Sequence, residues 1–104
     1  MGSKLHISKA VDEEVEVSCV LGKGKIREEV WQDSTGKVIR YNLAFINHFM
    51  HQSDNGRVLG YDMAHGYHHR HLMGEVEEIE FLGYEKLVDR FLREVSVLRK
   101  KGRL

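Results

Sequence analysis

The apolar residues of this chain change their spacing once, near Tyr84, and that change constrains the fold more than any other feature. Before Tyr84, apolar and polar residues alternate, most clearly over residues 39–45, which is the period of a half-buried strand. After Tyr84, the apolar residues recur with the spacing of an amphipathic helix: Leu87, Val88, Phe91, Leu92, Val95 and Leu98. Strands followed by one helix predict an α+β fold.

Other segments extend the predicted sheet. Strands are predicted over residues 14–21, less clearly over 26–32, and again over 77–82. We therefore expect a single domain, 1–104, in which a mostly antiparallel sheet of four to six strands packs on one amphipathic C-terminal helix. The expected core between sheet and helix contains Tyr41, Leu43, Phe45, Leu87, Phe91, Leu92 and Val95.

The dipeptide Asn55-Gly56 predicts a long hairpin, because these residues fill the two positive-φ positions of a type I′ turn. The strand at 39–45 would then return through 58–63 and beyond. A two-residue turn would place Met50 opposite Tyr61, Asn42 opposite His69, and Arg40 opposite His71. One face would collect mostly polar residues: Arg40, Asn42, His48, Tyr61, His65, Tyr67, His69 and His71. The other face would collect mostly apolar residues: Tyr41, Leu43, Phe45, Phe49, Val58 and Ala64. Because His68 and Arg70 fall among the apolar residues, the pattern indicates a bulge or loop near Gly66.

The charge and cysteine content exclude several classes of protein. Sixteen basic and sixteen acidic residues give no net charge, so tight sequence-independent binding to duplex DNA is not expected. No apolar run approaches the ~20 residues of a membrane span. The single Cys19 cannot form an internal disulfide, so a cytoplasmic protein is expected.

Four of the seven histidines lie within seven residues: His65, His68, His69 and His71, with Arg70 between the last two. Imidazole can exchange a proton near neutral pH and is the commonest metal ligand. No H-E-x-x-H motif or cysteine pair accompanies the cluster, so a metal site is the weaker interpretation. A cluster without function is also compatible with half-exposed strands.

Acid–base chemistry fits the cluster better. Cleavage of RNA without a metal needs a base for the 2′-hydroxyl, an acid for the leaving oxygen, and a cation beside the phosphate. The predicted site is therefore His69, His71 and Arg70, with His65, His68, Tyr61 and Asp62 nearby and Arg40 as the alternative cation. No metal or other cofactor is expected.

Several segments, taken in order, resemble the TumE family of toxins from toxin–antitoxin modules. These segments are the strand at 38–45, the return at 57–62, His69-Arg-His71, and the helix opening at 84–87. The resemblance covers roughly Ile39 to Val95. Family members more often carry Asn where Met63 stands and a glycine-rich approach where Tyr67-His68 stands.

The resemblance implies a prokaryotic cytoplasmic toxin that a helix-turn-helix antitoxin binds and neutralises. Two functions remain open at this point. The protein is either a metal-independent ribonuclease or a non-catalytic module whose histidine face binds a protein partner, nucleic acid or a metal. An exposed sheet edge also favours association, as a homodimer or an antitoxin complex.

Overall fold

The computed structural model describes residues 6–104 and contains a six-stranded antiparallel sheet and one long helix. The elements are β1 (Ser8–Ser18), β2 (Lys23–Gln32), β3 (Val38–Ile46), a 3₁₀ turn (Asp54–Gly56), β4 (Arg57–Ala64), β5 (Tyr67–Leu72), β6 (Glu75–Glu78) and α1 (Tyr84–Lys101). Each strand pairs with the next one in the chain. The predicted α+β class, with one C-terminal helix on an antiparallel sheet, is confirmed. Within residues 6–104, no helix is both long and apolar enough to cross a membrane.

A tight turn at His65-Gly66 separates β4 from β5. Both residues have positive φ, 54° and 79°, as the central residues of a type I′ turn do. The loop that the sequence indicated near Gly66 is therefore present. It places the histidine cluster on its own strand, after the turn, and not at the end of the strand that begins near Val58.

The predicted two-residue turn at Asn55-Gly56 is wrong. The chain leaves β3 at Ile46 and reaches β4 only at Arg57. Buried Asn47 organises this longer connection: its side-chain amide donates to the carbonyl of Leu21 at 2.8 Å, and its side-chain oxygen accepts from the N–H of Phe49 at 2.9 Å. Because these bonds fix a loop, the strand cannot continue to residue 50.

The strand register differs from the predicted one for the same reason. Asn42 faces Asp62 and Leu43 faces Tyr61, whereas the shorter turn placed Asn42 opposite His69 and Met50 opposite Tyr61. His69 on β5 faces Asp62 on β4. The predicted pairing of Arg40 with His71 is likewise wrong, since Arg40 pairs with Trp31 on β2 and His71 pairs with Gly60.

The core lies between α1 and the central strands. Side chains from β3, β4 and α1 form one buried cluster: Tyr41, Leu43, Phe45, Val58, Leu59, Tyr61, Leu87, Phe91, Val95 and Leu98. Six of the seven predicted core residues belong to it. The seventh, Leu92, was wrongly included, because it is 47% exposed on the outer side of α1.

The helix covers one face of the sheet and leaves the other, which we call the open face, without a covering element among the described residues. Alternation along each strand decides which side chains reach it. Tyr61 was expected on the polar face but is fully buried beneath α1. Phe49 was expected in the core but is 75% exposed in the connection before β4.

Candidate functional site

Two lateral rows of side chains cross the open face over all six strands. The first row, from β1 to β6, contains Glu14, Arg27, Ala44, Gly60, His71 and Val76. The second row contains Asp12, Glu29, Asn42, Asp62, His69 and Glu78. Carboxylates lie on both edge strands, and the histidines lie on β5, next to the edge strand β6. The register therefore places His69 and His71 side by side on the same face as Asp62.

Asp62 contacts both histidines. Its Oδ2 lies 3.1 Å from Nε2 of His71, and its Oδ1 lies 3.8 Å from Nδ1 of His69. The two imidazole rings have centroids 6.4 Å apart. A single carboxylate thus orients a pair of acid–base groups whose spacing can accommodate one phosphate between them.

Arg57 completes this group from the beginning of β4. Its Nη2 lies 3.1 Å from Nδ1 of His71, its Nη1 donates to Asp62 at 3.3 Å, and its Nε donates to Asp54 at 2.8 Å. Because a guanidinium only donates hydrogen bonds, Nδ1 of His71 must accept and carries no proton. The proton of neutral His71 then sits on Nε2, facing Asp62.

Nε2 of His71 is buried and makes no hydrogen bond of good geometry, although Asp62 is close to it. At a separation of 3.1 Å, a small ring rotation aligns this N–H with the carboxylate. Both nitrogens of His71 therefore face protein groups. His69 differs: it is half-buried, and its Nε2 makes no hydrogen bond with any described residue.

Arg70, which the sequence placed at the centre of the site, lies on the opposite face beneath α1. Its guanidinium pairs with Glu94 of the helix and donates to the hydroxyl of Tyr61 at 3.0 Å. Tyr61 in turn donates to Glu94. Burial, together with the hydrogen bond to Glu94, raises the pKa of Tyr61 to about 12, so this hydroxyl keeps its proton at neutral pH. This group joins the helix to the sheet.

His68 also lies on the helix side. Its Nδ1 is 2.7 Å from the hydroxyl of Tyr41, and its ring stacks on Phe81 with centroids 4.1 Å apart. Burial, with a smaller effect from His69, lowers the pKa of His68. The imidazole packs in one cluster with the rings of Tyr41 and Phe81, and His68 does not reach the open face.

The remaining predicted residues are farther from the histidine pair. His65 is exposed in the β4–β5 turn. Arg40 is on the open face, with its guanidinium 4.8 Å from the ring of Trp31. Both line a cavity of about 380 Å³ that is also lined by Met63 and Gly66. Asp62, Arg57 and the histidine pair do not line this cavity.

The sequence did not point to Arg57, Arg27 or Glu29, which the register brings to the open face beside Asn42. Glu29 accepts from Lys9, Asn42 and Arg27, and these bonds, led by the one from Lys9, hold its pKa at about 2 despite partial burial. Only the correct strand pairing could have revealed these residues, because they are distant in the chain from the histidine cluster.

The arrangement supplies an acid–base pair, an orienting carboxylate and a cation, namely His69, His71, Asp62 and Arg57. Among residues 6–104, no three histidine, cysteine or carboxylate side chains are placed so that they can hold a metal ion. Two imidazoles beside a carboxylate and a guanidinium are residue types suited to proton transfer at an anionic group.

Comparison with known proteins identifies one family. A family model described as "Toxin TumE" matches residues 19–99, most of the chain and all of β2 to β6. Neither the curated proteins nor the solved structures give a significant match. The matched span includes both rows of the open face except their β1 residues.

Proposed function

Because this chain belongs to the TumE toxin family, and is thereby the toxin component of a toxin–antitoxin system, we propose that its toxicity comes from cleavage of RNA at the open face. The observation that supports this proposal is the grouping of His69, His71 and Arg57 around Asp62. The reaction needs a base, an acid and a phosphate-binding cation, and these side chains supply all three.

His71 is the better base of the two histidines. Its Nδ1 already lacks a proton, because it accepts from Arg57. A substrate phosphate competes for the same guanidinium, since arginine binds phosphate oxygens in a planar, bidentate manner. When Arg57 turns to the phosphate, Nδ1 of His71 is released and can take the proton of the 2′-hydroxyl.

His69 is the better acid. Its Nδ1 faces Asp62 and its Nε2 faces outward, so an imidazolium at this position presents an N–H to the leaving 5′-oxygen. Asp62 contacts both rings and is a positioning residue. Arg57 replaces Arg70 as the cation of the proposed site, and Arg70, His68 and Tyr61 are assigned to packing of the helix.

Expression in bacteria tests this proposal, with growth and the integrity of cellular RNA as readouts. His69→Ala and His71→Ala should each abolish growth arrest and RNA degradation while the protein remains folded. His65→Asn is the matched control, because it removes another histidine of the cluster and asparagine tolerates the positive φ of the turn. If both alanine variants arrest growth as strongly as the wild type does, the ribonuclease proposal is wrong and the open face is a non-catalytic binding surface.

The family also implies an antitoxin partner, and we propose that this is a helix-turn-helix protein encoded beside the toxin, acting in the cytoplasm. Within the described residues, the outer edge of β1 is unpaired over its whole length. This edge strand carries Asp12, Glu13, Glu14 and Glu16 close together, so pairing with a second copy of itself would oppose like charges. A basic partner segment suits this edge better than a homodimer does.

A further inference from the structure

A cleft on the open face lies next to the histidine pair. It has a volume of about 240 Å³, and Arg57 lies on its boundary with the proposed catalytic site. Arg27 and Asn42 form one wall, Asp54 and Arg57 form the other, and Ala44 lies between them. Since a water molecule takes about 30 Å³ of liquid volume, the space is large enough for an organic ring system.

Small residues on the central strands create this cleft. The first row of the open face has Ala44 and Gly60 between Arg27 and His71. A Cβ on Gly60 would come within 2.7 Å of Cδ of Arg57, so the absence of a side chain lets the arginine lie flat across β4. The cleft at Ala44 and the Arg57 side chain over Gly60 together extend from Arg27 on β2 to His71 on β5, three strand spacings or about 14 Å, and we call this span the trough.

We propose that this trough binds a single-stranded RNA, and that the cleft at Ala44 holds the nucleotide next to the scissile phosphate, with Arg27 binding a backbone phosphate of that nucleotide. This inference rests on the proposed function, because it extends the same site by one nucleotide. Asn42 donates its amide to Glu29, so its side-chain oxygen is directed to the cleft as an acceptor for a base N–H.

The carboxylates of the open face favour a single strand over a duplex. Asp12 and Glu14 lie on β1, and Glu78 lies on β6 beside His69. A duplex lying over the sheet would bring phosphates against these carboxylates at both edges. One strand in the trough crosses only β2 to β5, where Glu29, Asp54 and Asp62 are each paired with Arg27 or Arg57. The bases of a single strand are also unstacked and open to side-chain contact.

The ion pairs of Arg27 do not prevent phosphate binding. Its contacts with Asp12 and Glu14, at 3.1 and 3.9 Å, involve carboxylates that are 51% and 44% exposed. Exposed ion pairs of this kind contribute little to the free energy of folding, so a phosphate can replace these carboxylates beside Arg27. Glu29 remains beside Arg27 and holds the stem of the side chain at the wall of the cleft.

Fluorescence anisotropy tests the inference with a fluorescein-labelled, single-stranded oligoribonucleotide of mixed sequence that carries 2′-O-methyl groups and so cannot be cleaved. Arg27→Gln should weaken binding about tenfold and reduce the salt dependence by about one phosphate contact. Ala44→Val, which fills the cleft, should also weaken binding at least about tenfold, equivalent to about 1.4 kcal/mol. If Ala44→Val fails to fold, Arg27→Gln still decides the question.

Lys25→Ala is the matched control, because it removes a positive charge two residues along β2 that does not line the cleft. It should change the affinity less than about threefold, the effect of a screened exposed charge. Wild-type affinity in both Arg27→Gln and Ala44→Val would overturn the inference. Equal affinity for the duplex form of the probe would overturn it as well.

The inference and the proposed function fail in different ways. Binding that depends on Arg27 and Ala44, without cleavage of ordinary RNA by the wild-type protein, would support the trough and contradict the ribonuclease. Cleavage that depends on His69 and His71, with RNA binding insensitive to both substitutions in the cleft, would support the ribonuclease and contradict the trough.

Discussion

Arg57 donates a hydrogen bond to Nδ1 of His71 across the β4–β5 pair, at 3.1 Å. This contact fixes the tautomer of the histidine and places the guanidinium where a substrate phosphate would displace it. In the proposed site, the phosphate-binding arginine therefore lies outside the histidine cluster. The arginine within the cluster, Arg70, has its charge neutralised by Glu94.

Substitution of Arg57 should reduce catalysis more than it reduces stability. Arg57→Ala removes the proposed cation, and we expect RNA cleavage to fall about 10²- to 10³-fold, as when one preorganised donor is lost from an active site. Cleavage rates of the purified protein measure this effect, and Arg93→Ala, an exposed arginine on α1, is the control. A loss of less than about threefold for Arg57→Ala would mean that another group holds the phosphate.

Substitution of Arg70 should have the opposite result. Arg70→Met leaves the carboxylate of Glu94 without its partner, and the two side chains are only 12% and 17% exposed. We expect a loss of about 2–4 kcal/mol in the free energy of unfolding, because an uncompensated charge then remains between helix and sheet. Urea unfolding measures it. The double variant Arg70→Met/Glu94→Leu should recover much of the loss, and no recovery would argue against the ion pair as the cause.

The stability of the fold should fall in mildly acidic solution because of His68. Burial lowers the pKa of this imidazole below its ordinary value of 6.5, so the unfolded chain binds the proton more readily than the folded chain does. Neutral His68 therefore contributes to the free energy of unfolding. This contribution is fully present above about pH 6.5 and is lost as the pH falls through the pKa of His68 in the folded protein. Urea unfolding at a series of pH values should show a smaller decline for His68→Phe, which keeps the stack on Phe81 but cannot titrate. An identical decline in both proteins would assign the effect to other groups.

Neutralisation by the antitoxin should depend on β1. Val15 is 57% exposed on this edge strand, among the acidic residues. A strand added to the edge would cover its side chain, so Val15→Arg should weaken rescue of growth by the co-expressed antitoxin and leave toxicity unchanged. Lys37→Glu, an exposed change of charge away from β1, is the control. Full rescue of the Val15→Arg variant would place the antitoxin elsewhere.

The local part of this structure follows from the sequence, and the long-range part does not. Alternation over residues 39–45 and helical spacing after Tyr84 identify β3 and α1, because each pattern reports which side of a single element is buried. The same alternation places His69 and His71 on one face and Arg70 on the other, whatever strand they pair with.

The identity of the residues opposite the histidines depends on the connection between β3 and β4. A two-residue turn and the longer loop held by Asn47 give different registers, and a side chain that bonds to the carbonyl of Leu21 leaves no local sequence signal. Arg57 was therefore missed, and Asn42, which was expected on this face, was placed opposite His69 instead of Asp62. Arg70 was predicted in the site, but its partners Tyr61 and Glu94 lie beneath the helix.

The most direct test is chemical analysis of RNA ends after incubation of the purified protein with single-stranded RNA in the presence of a metal chelator. Attack by the 2′-hydroxyl with His71 as base and His69 as acid yields a 2′,3′-cyclic phosphate and a 5′-hydroxyl, and both products should disappear in His69→Ala and His71→Ala. Intact RNA with the wild-type protein, or cleavage that persists in both variants, would contradict the account.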